Sequence, residues 1–351
     1  MSLNVKYAEK GSKGALAGLI GWIDYGTVMN LSPGQSTRVV NTITGGYTIS
    51  FDLSLVQTYT GQTTSATPIS FKGFTTPVLS SGGVAFGNTG YTGIDGNVAL
   101  YMSTESDLGV DTISKLTLNN ILVLDSSQNP VSKFSIIVAD AESTNKVETW
   151  SATTNGTAWA LIDVLPAPNG STIGGPIISG VGTNTVNETG VNVNMGNVSG
   201  PVYFTQRPTQ VVLGCLAEDS RQGFVVGVII NQDCNCNLDI NKNDKIVNIC
   251  PGRTQYFKFV VSPSCGEYTI VYTGSNYNPE TGIITGSLAT YQLTEQGIIV
   301  YVKSNLTSGA VEVLPFEIIS QCGVTKFEIV FAYNPSECSS NTNLTNCSGC
   351  N

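Results

Sequence analysis

The chain has 351 residues, 16 Lys plus Arg against 25 Asp plus Glu, a formal net charge of −9 and only 12% charged residues. That balance offers no basic footprint to a phosphate backbone or an anionic membrane, so neither nucleic acid nor membrane is an expected partner. Histidine is wholly absent, which removes Ser-His-Asp and Cys-His mechanisms and His-ligated zinc; carboxylate-pair hydrolysis survives, but no motif places such a pair, and the chain reads as a non-enzyme.

The length suits two domains, and a content rich in Val, Ile, Thr, Tyr and Phe, with no long stretch at helical period, makes the fold class all-β. Taken along the chain, the apolar run from Ala15 to Ile23 follows Lys6, Lys10 and Lys13. Asp24 comes at once and no small-x-small cleavage site lies beyond, so the run reads as a buried first strand and not as a secretion signal. Tyr47, Ile49, Phe51 and Leu53 alternate with polar residues after a Gly45-Gly46 turn, the period of a half-buried strand. Lys115 to Leu124 and Phe134 to Ala139 are nearly apolar on both faces, separated by the turn formers Asp125 to Pro130. Pro166 to Gly200 is rich in Gly, Asn and Thr and reads as a loop.

All nine cysteines lie at or after Cys215. This asymmetry and the loop before it place the domain boundary at residue 207, giving domains 1–207 and 208–351. In the second, Gly223 to Ile230, Tyr256 to Val261, Tyr268 to Tyr272, Thr290 to Leu293, Gly297 to Lys303 and Phe327 to Tyr333 are candidate strands joined by Gly, Pro and Asn turns. The expected fold is two β-sandwich domains, the second a disulfide-stabilised Ig-like or similar sandwich. No apolar run approaches the roughly 20 residues that span a bilayer.

Several ordered segments of the first half resemble a known family. Trp22-Ile-Asp24, Leu31-Ser-Pro-Gly34, Gly46-Tyr-Thr-Ile-Ser-Phe51, Ile137-Val-Ala-Asp-Ala-Glu-Ser-Thr-Asn145 and Thr153-Thr-Asn-Gly-Thr-Ala-Trp159 are similar to the lectin-like non-repetitive domain of the CshA-type surface adhesins, over roughly residues 20 to 205. The resemblance implies a jelly-roll, lectin-like β-sandwich, an extracellular setting on a Gram-positive cell surface, and binding to a host or matrix glycoprotein or glycan. No long repeat array and no cell-wall anchor follows in this sequence, so other copies of the chain are the competing partner: a self-assembling subunit of a surface appendage or spore outer layer.

Three constellations are candidates for chemistry. Asp140, Glu142 and Glu148 are carboxylates spaced closely enough to hold calcium, the possible cofactor, although a solvated strand end is the plainer reading. Trp150 and Trp159, with Tyr91 and Tyr101, offer flat rings for sugar faces or, more simply, core volume. Asp239-Ile-Asn241-Lys-Asn243-Asp244 starts like a calcium loop but lacks Gly and Glu where an EF-hand needs them. The cysteines Cys215, Cys234, Cys236, Cys250, Cys265, Cys322, Cys338, Cys347 and Cys350 are disulfide candidates, zinc being the alternative for the Cys234–Cys236 and Cys347–Cys350 pairs. Their odd number leaves one thiol over, expected in the C-terminal tail and available to bridge subunits.

Overall fold

The computed structural model describes residues 3–61, 66–76, 84–170, 175–231, 238–240, 246–262, 265–278, 281–294, 296–320 and 322–340. Contacts divide the chain into two units, Met1–Gln232 and Asp233–Asn351. Among the described residues strand dominates both, with the 3₁₀ turn Met195–Asn197 and the short helix Pro335–Ser340 beside it.

The first unit is a sandwich of two eight-stranded sheets. One runs, in spatial order, Leu3–Asn4, Ser36–Ile43, Tyr47–Gly61, Val110–Leu124, Gln210–Ala217, Thr149–Thr154, Thr185–Thr189 and Ile177–Ser179. The other runs Ala160–Leu165, Gly200–Gln206, Phe134–Asp140, Gly223–Ile230, Ala99–Met102, Phe71–Phe74 and Asn30–Leu31, with Gly21–Trp22 also paired to Gly223–Ile230. The alternation read at Tyr47 is real: Ile49, Phe51, Leu53 and Leu55 are fully buried while Val56 is exposed. They meet Leu116, Leu118, Trp150 and Leu213 of their own sheet and Ile136, Val138, Tyr203 and Phe224 of the facing one in a single core. Each fully buried aliphatic or aromatic side chain contributes about 1.5–3 kcal/mol by leaving water.

Four sequence expectations are corrected here. The boundary at 207 falls between strands of one sandwich: Gln210–Ala217 pairs with Val110–Leu124 and with Thr149–Thr154, and Gly223–Ile230 pairs with Phe134–Asp140. Cysteine content misled because Cys215 sits in the first unit's core. Leu16, Ala17, Ile20, Trp22 and Ile23 are buried, but only Gly21–Trp22 is strand; the residues before it turn, with Leu16 at a left-handed φ of 56°. Within 166–200 lie two short strands, Ile177–Ser179 and Thr185–Thr189, paired with each other at one edge of the sheet. The stretch 115–124 is apolar on one face at a time. Leu116 and Leu118 point inward, then a register shift opposite Ser50 and Asp52, with Asn120 at φ 54°, moves the inward set to Ile121 and Val123. Phe134–Asp140, by contrast, is buried on both faces, as expected of a central strand.

The second unit is a smaller sandwich. One six-stranded sheet orders Leu238–Ile240, Thr254–Val261, Gly297–Val302, Ala289–Thr294, Ile283–Thr285 and Tyr277–Asn278; a four-stranded sheet orders Ile246–Asn248, Gly323–Ala332, Val311–Ser320 and Tyr268–Tyr272. Phe257, Phe259, Tyr291 and Val300 from the first meet Leu314, Phe316, Ile329 and Phe331 from the second. Cys250, just after the strand Ile246–Asn248, forms a disulfide with Cys338 of the helix Pro335–Ser340, and Cys265 and Cys322 are also disulfide-bonded. Cys215 is free and buried, which corrects its place among the disulfide candidates. Cys234, Cys236, Cys347 and Cys350, and residues 241–245 of the calcium-like loop, lie outside the described residues.

Candidate functional site

Four connections cross from one sheet of the first unit to the other at the same end of the sandwich: 103–109, 141–148, 190–199 and 218–222. They are tied to one another by main-chain and short polar bonds. Ser106 N donates to Ser220 O at 2.8 Å, Met102 N to Gln222 O at 3.1 Å, Lys146 N to Val191 O at 2.7 Å and Gly190 N to Glu148 O at 2.9 Å. Gly190 lies so close to the Asn145 carbonyl that a Cβ would sit 2.4 Å from it, so only glycine permits that approach. These loops enclose a cavity of about 850 Å³.

The cavity is acidic. Glu105, Glu142, Glu148, Glu218 and Asp219 line it, against Lys146 and Arg221. Leu108 and Val147, 79% and 60% exposed, add two apolar side chains to the wall. Behind it lies a buried polar cluster. Asp140 accepts hydrogen bonds from Glu142 N at 2.9 Å and the Thr144 hydroxyl at 2.8 Å, and Glu148 Oε2 accepts from Asn145 N at 2.8 Å. Burial pushes Asp140 up to about 7 against those donors, and raises Glu148 as well. Glu142 and Glu188 are raised well above the carboxylate range, by burial first and then by the neighbouring Asp140.

Glu142 and Glu188 are 6% and 1% exposed. Tyr101 stands near Glu142, and Tyr203 and Thr144 near Glu188, yet neither Glu142 Oε2 nor either oxygen of Glu188 takes a hydrogen bond of ordinary geometry. The Gln222 side-chain amide is likewise buried with both its nitrogen and oxygen unmatched. Buried polar atoms in this condition are costly in a finished core and common where a ligand or water completes the set.

The sequence-derived candidates divide sharply against this geometry. Asp140, Glu142 and Glu148 are brought together, but the first faces the core and the other two the cavity. Among the described residues, no group of three or more acidic or cysteine side chains converges closely enough to hold one metal ion. The aromatic candidates are corrected. Trp150, Trp159, Tyr91 and Tyr101 are each 0% exposed, so they present no free face to a sugar. Trp150 stacks on Tyr203 at 5.7 Å and tilts against Phe224; Tyr91 packs on Trp22 and Phe86 and donates its hydroxyl to Ala15 O. Only Tyr101 also borders the cavity. Sequence reasoning missed Glu105, Glu188, Glu218, Asp219, Arg221 and Gln222. The run Glu218-Asp-Ser-Arg221 was the available signal, a charged tetrapeptide in a chain of low charge density.

The family model for the surface adhesin CshA non-repetitive domain 2 matches residues 18–230. The chain therefore belongs to this family of surface-adhesin domains, and the match ends within two residues of the first unit's limit at Gln232. Among solved structures, the N-terminal domain of the Streptococcus gordonii adhesin Sgo0707 aligns at 7% identity over 95% of this chain and 100% of that one, with a TM-score of 0.32, too loose a superposition to bear on function. No curated protein matches the chain. Among the described residues, no helix is long and apolar enough to cross a membrane.

Proposed function

We propose that the first unit is the ligand-binding module of an extracellular surface adhesin, and that it takes a host or matrix glycoprotein or glycan at the cavity formed by the four crossing loops. The role is binding, not turnover. The observation that carries this reading is the cavity itself: about 850 Å³, set at one end of a rigid sandwich, with Glu142 buried in its wall and one carboxylate oxygen unmatched. Loops held by a packed scaffold are where recognition concentrates, and a concave site with a few converging polar groups is the common form of a binding site. Family membership supports the adhesive role.

The alternative of a disulfide-linked structural subunit requires a bridging thiol other than Cys215. Cys215, buried in the first unit, is the free cysteine among the described residues and is not placed to bridge subunits.

Binding of the full chain to a glycan array and to immobilised fibronectin tests the proposal, compared with a variant in which Leu108→Arg and Val147→Arg block the cavity mouth. Binding by the parent and its loss in the blocked variant, with an unchanged thermal transition, is the expected result. Equal binding by both chains would place recognition elsewhere, and no binding on either surface would count against an adhesive role for this unit.

A further inference from the structure

The cavity wall carries five carboxylate residues and two cationic ones, and the whole chain carries a net charge of −9. Phosphate, sulfate or carboxylate ligands would meet repulsion there. A calcium ion alone would find no converging set of three acidic side chains among the described residues, and it would fill a small part of about 850 Å³. What the wall offers is a pair of exposed apolar side chains, Leu108 and Val147, beside an acidic interior that includes the nearly buried Glu142. Long cationic side chains have that same division, an apolar stem and a charged head.

We infer that this cavity takes an organic cation on an alkyl stem, the ammonium or guanidinium of a lysine or arginine side chain presented by a partner protein, with Leu108 and Val147 along the stem and Glu142, Glu148 and Glu218 about the head. The inference rests on the proposed binding role and narrows its ligand.

Charge near the site already shows partial compensation. Arg221 acts on Glu142 in the favourable sense, while Asp140 and Glu148 act against its ionisation and Tyr101 stands beside it. A second cation entering the cavity adds to Arg221 and favours the ionised carboxylate. Binding is therefore coupled to proton release, and affinity rises with pH through the range where Glu142 gives up its proton. Salt weakens the interaction, since the mouth of the cavity is open to solvent.

The probe is a fluorescein-labelled peptide of alternating lysine and serine, titrated with the full chain and followed by anisotropy at pH 5.5 and pH 8. The same peptide with acetylated lysines serves as the uncharged control, and spermidine separates a peptide-borne ammonium from a free polyamine. Saturable binding, tighter at pH 8 and lost on acetylation, is the expected outcome. Glu105→Lys with Glu218→Lys, both outside the buried cluster, weakens it by about tenfold or more, and Glu142→Gln flattens the pH dependence.

Equal binding of acetylated and native peptide, or none of either, overturns the inference. So does a calorimetric titration in which calcium chloride alone binds and displaces the peptide. Spermidine binding tighter than the peptide would reassign the cation to a free polyamine, against the partner-protein source. The broader reading fails separately: fibronectin or glycan binding that survives in the blocked variant removes the cavity from recognition, whereas binding that the blocked variant loses but the lysine peptide does not compete removes only the cationic ligand.

Discussion

The two units solve the same problem with different means. The first, Met1–Gln232, buries three tryptophans and a continuous apolar core between two eight-stranded sheets, and its described cysteine is free. The second, Asp233–Asn351, has a smaller core and is braced by disulfides. Burial per residue rises with domain size, so a small sandwich gains more from a covalent brace than a large one does. The surplus in the large unit is visible at its loop end, where it tolerates a buried acidic cluster that a marginal domain could not hold.

If core packing carries the first unit, Trp150→Ala has the largest effect. It removes a ring packed on Tyr203 and Phe224 and is expected to destabilise that unit by about 3–5 kcal/mol, with the second unit's transition unmoved in calorimetry. A shift below about 1 kcal/mol would mean that the site collapses readily around the gap. The covalent counterpart is Cys250→Ser with Cys338→Ser. Opening a link between residues 88 apart is expected to lower the second unit's stability by about 2–4 kcal/mol. Reducing agent, which also opens the bonds of Cys265 and Cys322, produces at least that loss in the parent chain and leaves the first unit untouched.

Proton linkage distinguishes the units next. Asp140 is fully buried and titrates near 7 when folded, against an ordinary value of 3.8. A raised acid binds its proton more tightly in the folded chain, so its contribution is complete below about pH 4 and is lost as pH rises through 7. Lowering the pH from 8 to 5 is therefore expected to stabilise the first unit by roughly 2–3 kcal/mol. Asp140→Asn removes its own share of this slope and leaves the shares of Glu142, Glu148 and Glu188, which burial also raises. A first-unit transition that falls on acidification over that range would show that the cluster is ionised and matched by groups other than those described.

Much of the scaffold was legible in the sequence because it follows from period. Tyr47 to Leu53 alternates, Phe134 to Ala139 is apolar but for Ser135, and Gly223 to Ile230 was bounded correctly as a strand. What period does not carry is pairing partner. Gly223–Ile230 was read into the wrong domain because its neighbours in the sheet, Phe134–Asp140 and Ala99–Met102, are remote in sequence. The acidic cluster was half legible: Asp140 ends a strand and Glu142 and Glu148 lie in the loop that follows it, while Glu188 and Glu218 arrive from strands and turns far along the chain. The tryptophans misled as sugar platforms because a ring suited to stacking on a sugar is equally suited to a core, and only the fold decides which face is covered.

The smallest expected effect concerns Cys215, where sulfur does opposite work in the two units. In register it stands between Trp150 and Ser114 on adjacent strands, 3% exposed, and burial pushes its thiol up, away from the reactive thiolate. It acts as a small apolar filler, so Cys215→Ala is expected to cost about 1 kcal/mol. Iodoacetamide is expected to leave it unmodified in the native chain and to label it only as the first unit opens, at a rate that rises with denaturant. Rapid labelling of Cys215 in native buffer would show that the strand Gln210–Ala217 opens locally. The large sandwich would then need a brace of its own as much as the small one does.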